Sequence, residues 1–108
     1  MLKEISRGLK LTKSLREFHS DFPPNGLAIF LSIAKQEGAS STELVQRLNM
    51  PKATVSRNLR MLSDLLAPRK EGMKLVYLEH DPDDYRVRRA YLTPKGKEFL
   101  KSLIEALE

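Results

Sequence analysis

Two clusters of arginine carry most of the chemical scope in this chain. One holds Arg57 and Arg60, with Lys52, Ala53, Thr54 and Ser56 just ahead of them. The other holds Arg86, Arg88 and Arg89, behind the acidic run Asp81-Pro82-Asp83-Asp84. A guanidinium is a rigid fork of donors that fits a phosphate, a carboxylate or the O6/N7 edge of guanine. Ser and Thr hydroxyls can meet phosphates or thymine methyls, and Ala permits close approach. The chemistry on offer is polyanion recognition rather than bond breaking. The plainer alternatives are a solvated helix face for the first cluster and, for the second, a charged strand edge that discourages aggregation.

Catalytic constellations are missing from the sequence. His19 and His80 lie far apart with no metal-ligand spacing between them. Asp81, Asp83 and Asp84 crowd one turn, but an EF-hand loop also needs a Gly and a late Glu. There is no phosphate-cradling Gly loop and no nucleophile elbow. The chain has no cysteine, which excludes disulfides, thiolate catalysis, zinc-finger chemistry and a thiol redox switch. The expectation is a non-enzyme with no metal and no cofactor.

The elements that must position these clusters read from pattern and punctuation. The chain is 108 residues long and 41% apolar, enough for one domain with a core. Its net charge is +5, and the surplus sits between Arg47 and Lys101, with 13 basic against 7 acidic residues. That placement raises the prior for a phosphate partner, because each neutralised phosphate releases counterions. No apolar run nears the roughly 20 residues of a membrane span, and the N-terminus has no apolar signal core. A cytoplasmic protein with no membrane contact is expected.

Residues 1–22 read as a helix with two apolar stripes on nearly opposite faces. Leu2, Ile5 and Leu9 form one; Leu11, Leu15, Phe18 and Phe22 form the other. Either the helix breaks near Gly8, or one face meets its own core and the other a partner. Pro23-Pro24-Asn25-Gly26 punctuates the chain. Leu27 to Gln36 is apolar on most faces, as in a buried helix, with Gly38 as its stop. Ser40 and Glu43 have capping-box spacing ahead of Leu44, Val45 and Leu48. A turn at Asn49-Met50 leads to Pro51, well placed for the first position of a helix carrying Val55, Leu59, Leu62 and Leu66.

Two short helices joined by a tight turn make a helix-turn-helix over 40–66, with Ala53, Arg57 and Arg60 facing outward on its second helix. A linker, 63–73, contains Pro68 and Gly72. Met73–His80 and Arg86–Leu92 then read as the strands of a hairpin, a wing over 73–92. By period 2, Arg86 and Arg88 share a face and Arg89 points the other way. Asp84 is spaced to pair with Arg86 and stiffen the turn. Thr93 caps a last helix, 94–108, with an apolar face of Phe99, Leu100, Leu103, Ile104 and Leu107. The fold class is mainly α with a small β-hairpin (α+β), a single winged helix-turn-helix domain over 1–108.

The stretch DPDDYRVRRAYLTPKG, 81–96, resembles the wing signature of the MarR family of transcription regulators. Asp84 and Arg86 fall on its Asp-x-Arg positions, and Leu92, Thr93 and Gly96 on its closing Leu-Thr-x-x-Gly. STELVQRLNMPKATVSRNLRML is similar to the family's helix-turn-helix. The family's connection between recognition helix and wing is usually shorter than 63–73. The resemblance implies a homodimer reading a palindromic operator on double-stranded DNA, as a repressor, with an effector of unknown structure. Lys52, Ala53, Thr54, Ser56, Arg57 and Arg60 would enter the major groove. Asp84, Arg86, Arg88 and Arg89 would form the wing contacts, Arg86 in the minor groove. Dimerisation would use N- and C-terminal helices through Leu2, Ile5, Leu9, Leu11, Leu15, Phe18, Leu100, Leu103, Ile104 and Leu107. The competing reading is a winged-helix module for non-specific DNA binding or for protein–protein assembly in replication or recombination.

Overall fold

The apolar spacing of each segment is resolved into helix or strand as follows in a computed structural model that describes residues 1–67 and 70–108, and side chains outside 65–70. The order is α1 (Leu2–Phe18), α2 (Pro24–Lys35), β1 (Ala39–Ser40), α3 (Ser41–Leu48), α4 (Lys52–Leu62), β2 (Leu65–Ala67), β3 (Lys70–Glu71), β4 (Val76–His80), β5 (Arg88–Leu92) and α5 (Pro94–Leu107).

The first helix runs unbroken through Gly8 and ends at Phe18, where His19 turns extended. Phe22 therefore leaves the helical stripe, yet it still reaches the core by stacking on Phe99 at 5.5 Å between ring centroids. Leu11, Leu15 and Phe18 pack on the same core. The other stripe stays in solvent: Leu2 is 79%, Ile5 52% and Leu9 65% exposed. Of the two alternatives for this helix, the structure takes the two-faced one. The second helix begins at Pro24 rather than Leu27, because proline's fixed φ suits the first helical turn. It buries Ile29, Phe30 and Ile33 at the centre of the molecule.

At Ser40 the capping box forms in full: its hydroxyl accepts from the Glu43 N–H, and the Glu43 carboxylate accepts from the Ser40 N–H, both at 3.2 Å. Asn49 closes α3 in the left-handed region, at φ 51° and ψ 47°. Pro51 caps α4 rather than occupying its first position, and Val55, Leu59 and Leu62 point inward. The helix stops at Leu62, four residues short of the expected stripe end, because Ser63 leaves helical geometry. The Leu66 side chain and Pro68 lie outside the described residues. What reads as a plain linker contains an antiparallel ladder, Leu65 opposite Glu71. The chain then folds back over the end of α4: the Met73 N–H donates to the Met61 carbonyl, and that of Leu75 to Leu62, both at 2.8 Å.

The hairpin pairs Val76 with Leu92 through to His80 with Arg88, so its strands are shorter than the apolar runs suggest. A third strand escapes the sequence reading. Ala39 and Ser40 pair with Ala90 and Arg89, which gives a sheet of order β1-β5-β4 with β5 in the middle. The wing is therefore joined to the start of the helix-turn-helix by backbone hydrogen bonds. Thr93 caps α5 as its position suggests, its hydroxyl accepting from the Gly96 N–H at 2.9 Å. The last helix buries Phe99, Leu103 and Ala106 and packs against the first, with the Phe99 and Phe18 ring centroids 4.6 Å apart.

Candidate nucleic-acid interface

On α4, the inward pull of Val55, Leu59 and Leu62 leaves Lys52, Ala53, Ser56, Arg57 and Arg60 exposed, with Thr54 half-buried. Among the described residues, no carboxylate pairs with Lys52, Arg57 or Arg60. Arg57 borders a hollow against Pro23, Pro24 and Asn25 at the start of α2. Arg60 borders a larger groove of about 560 Å³ on the opposite flank, between α4 and the wing. That groove joins the two arginine clusters that are separate in sequence. Lys52, Ser56 and Arg60 come to it from α4; Arg86, Arg88 and Arg89 come from the wing. Its lining holds five basic and no acidic side chains; Arg86 and Arg89 are paired with carboxylates just outside it, and Lys52, Arg60 and Arg88 supply the charge that favours an anion.

The wing arginines are not equivalent. Arg86 is 91% exposed, and Asp84 holds it in a fork, with Nε 3.2 Å from Oδ1 and Nη2 3.4 Å from Oδ2. The same Oδ1 accepts from the Arg86 backbone N–H at 3.1 Å. Such an exposed pair is worth roughly 0–1 kcal/mol, so its effect is to aim the guanidinium rather than to stabilise the fold. Arg88 is exposed opposite His80. At the tip, the His80 and Tyr85 rings stack 3.9 Å apart, and His80 Nδ1 lies 2.7 Å from the Tyr85 carbonyl oxygen.

Arg89 alternates to the other face of β5, and its Nε and Nη1 are both engaged. Its Nε donates to Asp81 Oδ2 at 2.7 Å, and its Nη1 donates to Glu43 Oε1 and to the Gly38 carbonyl, both at 2.9 Å. The hydrogen bond from Arg89 holds the Asp81 carboxyl below the usual range, helped by the Asp83 N–H. For Glu43 the Ser40 N–H does most of the lowering, with Arg89 next after the opposing effect of burial. Asp81 and Glu43 in turn raise the Arg89 guanidinium further. Sequence reasoning overlooked Asp81 and Glu43 as partners of Arg89. The opposite facing of Arg89 was the available signal. It also missed Glu37, whose Oε1 accepts the Leu92 N–H at 2.7 Å just beyond the short β1.

The ten apolar residues expected at a dimer contact divide. Leu103 is buried, and Leu11, Leu15, Phe18 and Leu100 pack against the protomer's own core. Their area is already spent within the chain. Leu2, Ile5, Leu9, Ile104 and Leu107 remain exposed.

Residues 24–67 match the family model described as a helix-turn-helix domain. With the β4–β5 hairpin behind that domain, the chain is a winged helix-turn-helix protein. Its α+β architecture is that of the transcriptional regulator Tm0710 from Thermotoga maritima, 24% identical over 92% of this chain and 63% of that one, with a TM-score of 0.76. A MarR-like transcriptional regulator from the same organism is 30% identical over 81% of this chain and 56% of that one, at 0.63. A mutant of MepR from S. aureus, solved bound to an oligodeoxyribonucleotide, is 25% identical over 92% and 66%, at 0.68. The fold of the chain is the one these regulators share. The chain spans 56–66% of the length of these three proteins. Comparison with curated proteins gives no match. No helix among the described residues is long and apolar enough to cross a membrane.

Proposed function

We propose that this protein is a sequence-specific regulator of transcription that binds double-stranded DNA in the cytoplasm, as a homodimer on a palindromic operator, and represses. The observation that carries this reading is the groove in which Lys52, Ser56 and Arg60 of α4 face Arg86 and Arg88 of the wing with no acidic side chain between them. A recognition helix with a small, hydroxylic N-terminal turn enters a major groove closely, and the adjoining wing then meets the flanking minor groove. In this arrangement Lys52, Thr54 and Ser56 meet phosphates, Ala53 allows approach, and Arg57 and Arg60 reach base edges. Asp84 aims Arg86 at the minor groove, and Arg88 adds backbone contact. The exposed apolar residues of α1 and α5 supply the contact between protomers. The DNA-bound MepR relative supports the choice of partner.

An anisotropy titration tests the reading. A labelled duplex from the gene's own upstream region is compared with a scrambled duplex at two salt concentrations, with mass read by light scattering. Preference for the native duplex by about a thousandfold, with two protomers per site, is the expected result. Equal and steeply salt-dependent binding to both would leave a non-specific DNA binder. Absence of binding at low salt would turn the reading toward protein assembly.

A further inference from the structure

We infer that Arg89 is a positioning residue rather than a DNA contact: it clamps the wing to the N-terminus of α3 and so sets where Arg86 stands relative to the recognition helix. The inference rests on the DNA-binding reading above and specifies how that site is built.

The clamp has parts on three segments. Asp81 opens the wing turn and divides its two oxygens. Oδ1 accepts from the N–H groups of Asp83 and Asp84, at 2.7 and 3.3 Å, while Oδ2 takes Arg89. Glu43 closes the capping box of α3 with the same Oε1 that receives Arg89. The Gly38 carbonyl, just before β1, supplies the third acceptor. Arg89 therefore ties the turn that carries Asp84 and Arg86 to the helix that precedes α4. The base of the hairpin is fixed by the β1 ladder and by Val76, Ala90 and Leu92 in the core, whereas Arg89 is the side chain that ties its turn end to α3.

Charge and geometry argue against a DNA contact. Arg89 shares Glu43 with Arg47, 3.1 Å away, so two guanidiniums and two carboxylates form a neutral cluster in which the charge of Arg89 is already matched. Arg89 is also only 35% exposed, against 91% for Arg86. A lysine would not reproduce the clamp, because its single nitrogen cannot stand at both the Nε and the Nη1 positions that Asp81 and Glu43 engage.

The decisive variant is Asp81→Asn. It keeps Oδ1 as an acceptor for the turn and removes the charge that Arg89 holds. If Arg89 were a DNA contact restrained by its carboxylates, this variant would bind the upstream duplex more tightly, having lost a negative charge beside the groove. The clamp requires the opposite sign, a loss of roughly tenfold. Arg89→Ala and Arg89→Lys should weaken binding similarly while melting as cooperatively as wild type. Arg89→Ala should add little to Arg86→Ala, because an Arg86 already out of place has little left to lose. It should add fully to Arg57→Ala, which acts on another element. A readout free of DNA is the NMR signal of the Arg89 Nε–H together with the relaxation of backbone amides 83–87. The Nε–H should be protected in the free protein and unmoved by duplex, and the amides should become mobile in Arg89→Ala. Tighter binding by Asp81→Asn, a duplex-induced shift of the Arg89 Nε–H, or wing amides unchanged in Arg89→Ala would overturn the clamp. A wild-type protein that bound no duplex would instead sink the DNA reading, whatever the amides did.

Discussion

Gly96 lies directly against the carbonyl group of Leu75, where a Cβ would overlap the Leu75 oxygen. That same oxygen accepts the Thr93 N–H at 3.0 Å, and the Leu75 N–H donates to Leu62 at 2.8 Å, so the Leu75 peptide cannot retreat. The Gly of the Leu-Thr-x-x-Gly segment is thus required by the backbone that returns from α4 to the wing. Gly96→Ala is expected to destabilise the fold by about 2 kcal/mol, overpacking offset in part by better helix propensity, as read by urea denaturation. Gly8, mid-helix in α1 with no atom near its would-be Cβ, is the control. Gly8→Ala should stabilise by about 0.5–1 kcal/mol. A loss there would mean that a partner packs on Gly8.

Arg57 and Arg86 should fail in different ways. Arg57→Ala is expected to cost about 1–3 kcal/mol of specific affinity and to relax discrimination at one position of the site. Arg86→Ala should lower the slope of log affinity against log salt by about one. Titrations over a salt series with native and singly altered duplexes separate the two. Loss of salt dependence in Arg57→Ala with base preference intact would move that residue to a phosphate.

Acid should loosen the clamp before it unfolds the rest. Asp81 and Glu43 are both held below their ordinary values of 3.8 and 4.5, so the folded chain keeps them ionised where the unfolded chain has begun to take up protons. Their contribution is complete above those ordinary values and drains away as pH falls through the lowered ones. Denaturation midpoints followed from pH about 7 down to about 3 should fall more steeply for wild type than for Arg89→Ala. Parallel curves would show that Arg89 carries none of the effect.

The exposed stripe on α1 makes the association state testable without DNA. Leu9→Lys, placed where 65% of the side chain is exposed, should leave the thermal melt at high dilution unchanged and shift the sedimenting species toward the protomer mass. Leu15→Ala, on the core-facing stripe, should instead cost roughly 2–3 kcal/mol of stability through lost packing. If both variants behaved alike, the two faces of α1 would not divide the work as the burial pattern indicates.

These faces also show what the sequence can and cannot convey. Two opposed stripes on α1 are visible from spacing alone, but which stripe meets the core depends on Phe99 and Phe22, which arrive from elsewhere in the chain. The capping box at Ser40 and Glu43 was legible because its partners lie three residues apart. The second duty of Glu43 was not, since its partner Arg89 lies 46 residues away. The wing read well from its β-formers and acidic turn, and the Asp84–Arg86 pair with it, again a local relationship. β1 is two residues long and has no periodicity to read; it exists because β5 offers it an edge. The end of α4 was overrun for a related reason: Leu66 continues the spacing of Val55, Leu59 and Leu62, but Ser63 turns the backbone into a ladder that Lys70 and Glu71 complete. For the site, the spacing named which residues are cationic and outward. That Arg60 and Arg86 share one groove is a product of the tertiary fold.

The pairing of Ala39 with Ala90 has a consequence for the order in which the protein is made. Synthesis runs from one end, so both helices of the reading head leave the ribosome while β1 still has no neighbour and Glu43 still waits for its guanidinium. The reading head is not finished until the strand of the wing has followed it out. A polypeptide halted just before β5 would hold every outward residue of α4 and yet lack the brace that orients them. The basic groove is in this sense completed late, by a strand that sits between both of its neighbours.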